Sequence, residues 1–384
     1  MLGFVSLTPA YDSTRPAVLA FTSTASVLCG IIAAHINHPV SLMYSLAKKL
    51  LFRLDPETSH DLSLDWLGAA ERLHLLKLFS TKATADETTV MGLTFPNRVG
   101  LAAGLDKNGD YFNALGRFSF GFIEIGTVTP LPQSGNPLPR LFRLEKEEAI
   151  INRMGFNNKG VDHLVGRVRH RCFSGILGIN IGKNKSTPEE NALSDYQVCM
   201  EKVYPCADYI TVNISSPNTP GLRNLQFGAA LDKLLRGVKQ KQKQLAQIHQ
   251  RYVPVVVKIA PDMTGDEIKS VAATLLKAEI DGVIATNTTV SRDAVENSKY
   301  AGETGGLSGR PLKEMSTHVI RLLAAELKGS IPIIGVGGIL SGEDAREKIE
   351  AGASLVQIYS GFIYRGPELI AEAAGAIASA NAPD

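Results

Sequence analysis

In this 384-residue chain the residue types that could do chemistry recur at the ends of short β-branched runs. One run ends Ala102-Ala-Gly-Leu-Asp-Lys107-Asn, a second Glu124-Ile-Gly-Thr127, a third Gly178-Ile-Asn180-Ile-Gly-Lys, and a fourth Thr211-Val-Asn213-Ile-Ser-Ser216-Pro-Asn218-Thr. The fifth carries Lys258, the sixth Thr286-Asn287-Thr288, and the last two end Gly335-Val-Gly337-Gly338 and Tyr359-Ser360-Gly361. Two lysines, several Asn amides, Thr and Ser hydroxyls and almost no carboxylates suit a planar heterocycle rich in carbonyl and N–H groups, because an amide donates and accepts at once. The glycines let backbone N–H groups approach an anion closely, so a phosphorylated cofactor or substrate is expected beside them.

The elements that must position these residues follow from the spacing. Eight runs, Arg98 to Asp106, Phe122 to Thr129, Gly175 to Gly182, Tyr209 to Ser215, Pro254 to Ala260, Gly282 to Thr288, Ile331 to Gly337 and Ser354 to Tyr359, alternate with longer helical stretches. That pattern predicts an α/β chain folded as a (β/α)₈ TIM barrel, whose strand C-termini and following loops carry the site. A doubly wound open sheet is the competing architecture, and the lack of GxGxxG after the first strand weighs against it. Two connections are longer than a plain βα unit. Pro130 to Ile151 is expected to form a small antiparallel excursion at the barrel top, and Gly-rich Thr289 to Gly309 either a lid or a disordered loop.

Forty basic against thirty-eight acidic residues leave a net charge of +2, which argues against a polyanionic partner such as nucleic acid. Cys29, Cys172, Cys199 and Cys206 show neither CxxC pairing nor a disulfide framework, so reduced thiols and no metal are expected. No Asp, Glu, Lys or Arg lies between Arg15 and Lys48, and Ala17 to Ala34 is mostly apolar with Ser and Thr interleaved. This stretch reads as an anchor, a signal-like segment or a leader ahead of a beginning at Met43. Further on, Leu46, Leu50, Leu51 and Leu54 recur at helical spacing beside Lys48, Lys49 and Arg53, predicting a basic amphipathic helix over Ser45 to Leu54. Asp55-Pro56 predicts a cap and a second helix from Pro56 to Leu78, with an apolar stripe of Leu62, Trp66, Leu73 and Leu76. The pair either packs on the barrel's outside or dips into a membrane surface.

Six segments carry a family resemblance. AGLDKNG (Ala103 to Gly109), NRMGFNN (Asn152 to Asn158), TVNISSPNTPGLR (Thr211 to Arg223), TNTT (Thr286 to Thr289), GGLSGRPL (Gly305 to Leu312) and IGVGGI (Ile334 to Ile339), in this order, resemble dihydroorotate dehydrogenase of the quinone-reducing class 2. The resemblance covers about Met43 to the C-terminus. It implies FMN as cofactor, dihydroorotate oxidised to orotate in pyrimidine synthesis, and a membrane quinone as electron acceptor, with no iron-sulfur partner subunit. It also implies site residues. Ala103, Gly104, Leu105, Asp106, Lys107, Thr127, Asn180, Asn213, Lys258, Thr286, Gly309, Gly338, Tyr359 and Ser360 would contact FMN. Lys107, Asn152, Arg153, Met154, Gly155, Phe156, Asn213, Asn218, Asn287 and Thr288 would hold the pyrimidine, and Ser216 matches the catalytic base. Class 1 relatives use cysteine as the base, whereas no cysteine here ends a strand, and Cys206 precedes the fourth strand.

Class 2 also carries an N-terminal helical extension, which residues 43–80 match, ahead of a barrel over 81–384 and after a leader over 1–42. His60 and Arg53 are candidates for its quinone tunnel. The motifs suit a peripheral enzyme on the cytoplasmic face of a bacterial inner membrane, with the mitochondrial inner membrane as the alternative. A neutral hydroxyl is a poor base, and the sequence does not show what takes the proton from Ser216. Two other classes compete with this reading: a cofactor-free phosphate-sugar isomerase or aldolase barrel, which would be colourless, and a non-catalytic membrane-surface module.

Overall fold

Strands buried on both faces read as near-continuous apolar runs, and Val255–Ile259 (VVVKI) or Phe122–Val128 (FIEIGTV) become strands for that reason. In the computed structural model, which describes residues 39–78 and 82–380, eight such strands close into a parallel barrel. Their order around the barrel is their order in the chain: Val99–Leu101, Phe122–Val128, Ile176–Ile181, Tyr209–Asn213, Val255–Ile259, Gly282–Ala285, Ile333–Val336 and Leu355–Ile358. The last closes on the first with Val356 opposite Val99 and Ile358 opposite Leu101. Each of the eight expected runs contains one of these strands. The open-sheet alternative is excluded by the closure.

Alternation divides each strand between two layers. Ile123, Ile125, Ile179, Ile181, Val255 and Val257 join the apolar layer under the surrounding helices. Phe122, Tyr209, Val256, Ile284, Ile334 and Leu355 fill the barrel interior, together with Val90 and Phe95 from a hairpin (Thr88–Val90 and Leu93–Phe95). Phe95 meets Phe122 edge-on at 5.2 Å. The interior is crowded enough that a Cβ on Gly178 would lie 2.1 Å from the Tyr209 ring, so only glycine fits there.

The two long connections form one structure. Leu141–Leu144 and Ala149–Asn152 pair antiparallel, and Gly306–Gly309 joins as the third strand, with Leu307 opposite Ile151. The expected antiparallel excursion is therefore present. The Gly-rich connection, expected as a lid or a disordered loop, is instead anchored in this sheet. Gly305, Gly306 and Gly309 serve close approach: a Cβ on Gly306 would lie 1.9 Å from Thr288 Oγ1.

Helices span Pro39–Leu51 and Pro56–Arg72, followed by a 3₁₀ turn at Leu75–Leu78. The first ends three residues before the expected boundary, because Leu54 and Asp55 leave the helix so that Asp55 can cap the next one. The Asp55 carboxylate accepts the backbone N–H groups of Glu57 and Thr58. The second helix stops at Arg72, and His74 turns left-handed at φ 58°. From Lys48 onward the chain is tied to the barrel. The Lys48 ammonium donates to Tyr364 O (2.8 Å), Arg143 lies 4.0 Å over the Phe52 ring, and Glu57 takes a two-pronged ion pair from Arg140. Leu50 (66% exposed) and Trp66 (59%) face solvent. Among the described residues no helix is long and apolar enough to cross a membrane. The uncharged stretch Ala17 to Ala34 lies outside the described residues.

Candidate active site

At the C-terminal ends of the strands, under the three-stranded sheet, lies a cavity of about 1200 Å³ including its open mouth. Ala103, Gly104 and Lys107 follow the first strand, Thr127 lies near the end of the second, Asn213 ends the fourth and Lys258 lies in the fifth. Thr286, Asn287 and Thr288 follow the sixth, Gly338 the seventh, and Tyr359 and Ser360 the eighth. The excursion sheet contributes Asn152 and Gly309, the segment after it Met154, Gly155 and Phe156, and the loop after the fourth strand Ser216 and Asn218. These nineteen residues therefore share one cavity.

Four others from the sequence reading lie behind its wall. Leu105 is in the apolar core, and the Asp106 carboxylate accepts the N–H groups of Asp110 (3.0 Å) and Tyr111 (2.7 Å), which folds the Lys107 loop. Asn180 lies one layer down, accepting from Thr127 Oγ1 (2.6 Å) and donating to Glu124 (2.8 Å). The Arg153 guanidinium turns outward, pairing with Glu303 at 2.6 Å over the Phe142 ring.

The polar floor is a connected network. Asn213 Nδ2 donates to Thr127 Oγ1 (3.1 Å) and Asn180 Oδ1 (3.2 Å), and its Oδ1 accepts from Ser215 Oγ (2.9 Å). Asn287 Nδ2 in turn donates to Ser215 Oγ at 2.9 Å. Asn218 Nδ2 donates to Asn152 O at 3.1 Å, joining the base loop to the excursion sheet. Ser216 Oγ accepts the backbone N–H of Asn218 at 3.2 Å, and among the described residues no carboxylate or imidazole hydrogen-bonds to it.

Beneath the floor sits a residue the sequence reading passed over. Glu124 is fully buried, with Asn180 on one carboxylate oxygen and Tyr209, Thr211 and Gln357 on the other at 2.9 to 3.0 Å. It occurs in EIGT beside isoleucines that face outward, so period-two alternation was the available signal for its inward position. Its charge opposes the effect of burial on Lys258, a residue 5% exposed whose ammonium has no hydrogen bond to a described residue and is held below the usual lysine range by desolvation. Burial likewise lowers Lys107, against the pull of Glu57 and Asp61. His60 also lines the cavity, and burial together with the Lys107 charge lowers its imidazole to about 3, so it is neutral near pH 7. Arg53 is exposed and does not line the cavity. Cys172, Cys199 and Cys206 also lie away from it.

The donor set fits a flavin. Lys258 Nζ and the Gln357 side-chain oxygen, which is buried without a partner, are unused polar atoms in the wall, and the glycine loops after the last two strands suit a phosphate. Fold and site together define a (β/α)₈ barrel enzyme with a cationic, amide-lined mouth. The sequence profile for dihydroorotate dehydrogenase matches residues 86–379, and the chain belongs to that family, in its class 2. It is 70% identical to the dihydroorotate dehydrogenase (quinone) of Saccharophagus degradans over 88% of this chain and 100% of that relative, and 67% identical to that of Teredinibacter turnerae over 88% and 99%. Among solved structures it is similar to a dihydroorotate dehydrogenase of Eimeria tenella in complex with ferulenol, with a TM-score of 0.77 and 39% identity over 85% of this chain and 91% of that one.

Proposed function

We propose that this chain oxidises dihydroorotate to orotate in pyrimidine biosynthesis, with FMN as its cofactor and a membrane quinone as electron acceptor. The observation that carries the reading is the convergence of two lysines, Ser216 and the amide network on one cavity in a chain of this family. FMN, when bound, supplies the hydride acceptor.

The chain's own groups do the rest. Ser216 Oγ takes the proton from the substrate carbon that faces it and releases its own hydroxyl proton to water through the open mouth of the cavity. Asn152, Asn213, Asn218 and Asn287 hold the pyrimidine's carbonyl and N–H edges, since each amide offers both a donor and an acceptor. Lys107 binds the substrate carboxylate. Lys258 holds positive charge in the cavity floor, where its low solvation makes that charge act strongly. The remaining FMN contacts are assigned to Ala103, Gly104, Thr127, Thr286, Gly309, Gly338, Tyr359 and Ser360, with Leu105, Asp106 and Asn180 supporting them from behind. Met154, Gly155 and Phe156 cover the pyrimidine, and Arg153 acts from outside the wall.

Residues 43–80 are the quinone and membrane contact, residues 81–384 the FMN barrel, and residues 1–42 a leader. Exposed Leu50 and Trp66, with exposed Lys49 next to Leu50 in the chain, and similarity to bacterial quinone enzymes support a peripheral seat on a membrane surface, which we assign to the cytoplasmic face of the inner membrane.

The test is an assay of the purified protein with dihydroorotate and quinone, fumarate or NAD as acceptor. A yellow protein that prefers quinone is expected, and preference for fumarate or NAD overturns the class. Ser216→Ala is expected to slow flavin reduction by dihydroorotate by about 10² to 10⁴ with flavin retained. Near wild-type reduction in that variant overturns the base assignment.

A further inference from the structure

Lys348, in helix Gly342–Glu350, is 0% exposed and lies outside the cavity, yet it backs the wall formed by the seventh strand's glycine loop. Its ammonium donates to Lys313 O (2.8 Å) and to the hydroxyls of Ser316 and Thr317. Two short paths then reach the wall. Ser316 Oγ donates to Gly337 O at 3.1 Å, and Gly338 packs so closely on Lys313 that a Cβ there would lie 2.3 Å from Lys313 Cα. Gly337 and Gly338 both line the cavity.

Structural stability alone accounts poorly for this arrangement. Lys348 hydrogen-bonds only to uncharged oxygens, and it does so in the first turn of helix Lys313–Leu327, where the helix dipole disfavours a cation. The charged groups around it are Lys313, Glu314, Asp344 and Glu347, and the last two are claimed by the Lys313 ammonium at 2.7 and 3.0 Å. A buried cation so placed gains most from an anion on the far side of the loop.

We propose that Lys348 is a positioning residue for the flavin phosphate, holding the Gly337-Gly338 loop and supplying charge through it, so that FMN binding is coupled to Lys348 protonation. The inference rests on the FMN reading above. The physical consequence has a definite sign. Burial lowers the Lys348 ammonium to about 7, with Glu347 opposing. A bound phosphate dianion raises it again, so FMN takes up a proton above pH 7 and binds more weakly as pH rises.

The experiment measures flavin release from the holoprotein by fluorescence between pH 7 and 8.5, and proton uptake at pH 8 on rebinding FMN or riboflavin to the flavin-stripped full chain. Both ligands present the same ring to Lys107 and Lys258, and the phosphate is already a dianion at pH 8, so the difference between them isolates the phosphate-linked proton. The expected result is roughly tenfold weaker FMN binding at pH 8.5 than at pH 7 and most of one extra proton taken up with FMN relative to riboflavin. Lys348→Met is expected to flatten that pH profile. Equal proton uptake for the two ligands overturns the inference while leaving the FMN reading intact, and the wild-type measurement decides it even where Lys348→Met does not fold. No FMN binding at any pH overturns both.

Discussion

A lysine in a barrel mouth is costly unless something anionic uses it, because desolvation favours the neutral amine. Lys107 and Lys258 both carry that cost without donating a side-chain hydrogen bond to a described residue. The substrate role of Lys107 predicts that Lys107→Gln raises the KM for dihydroorotate about 10- to 100-fold, the loss of a charged hydrogen bond of about 1.5–3 kcal/mol, in steady-state assays at saturating quinone. An unchanged KM overturns it. His60 carries a different signature. Its folded-state value, about 3, lies below the ordinary 6.5, so the unfolded chain binds the extra proton, and the fold loses stability as pH falls from 6.5 toward 3. NMR of the imidazole is expected to show no titration between pH 5 and 8, and His60→Gln is expected to flatten the fall of the urea midpoint over the acid range.

The two helices before the barrel depend on local chemistry at one junction. Asp55 supplies the cap that starts Pro56–Arg72, and Glu57 in its first turn holds Arg140 at the edge of the excursion sheet. Asp55→Ala is expected to destabilise this helix by about 1 kcal/mol, seen as faster amide exchange at Glu57 and Thr58 with little change at the barrel strands. Equal protection in variant and wild type overturns the capping role. The Asp-Pro signal made this junction legible in the sequence. The far end of the helix was not legible, since Leu73, Leu75 and Leu76 continue an apolar pattern that the left-handed turn at His74 interrupts. The Gly-rich run from Gly302 to Gly309 was open for a similar reason. Glycine signals either freedom or close approach, and contact with Thr288 and pairing with Ala149–Asn152 select the second.

At the scale of the whole molecule, Glu124 joins the second barrel strand to the third, fourth and eighth through Asn180, Tyr209, Thr211 and Gln357. Glu124→Ala strands four buried polar groups in the interior and is expected to cost about 3–5 kcal/mol, read as a lower thermal midpoint by circular dichroism. A midpoint within a degree of wild type overturns the hub. The fold class and the strand-end identities of Lys107, Asn213, Ser216 and Lys258 were readable in order along the chain, because a parallel barrel repeats one unit eight times and places every strand C-terminus at the same end. That repetition left side-chain direction open within each loop. Asn180 and Arg153 belong to the same motifs as their neighbours, yet one lies beneath the floor and the other pairs outward with Glu303. Such directions depend on partners distant in sequence, 56 residues for Asn180 and Glu124 and 150 for Arg153 and Glu303. Local spacing carries the periodicity of a strand and the chemistry at its end, whereas barrel closure and long-range hydrogen bonding settle which atoms face the cavity.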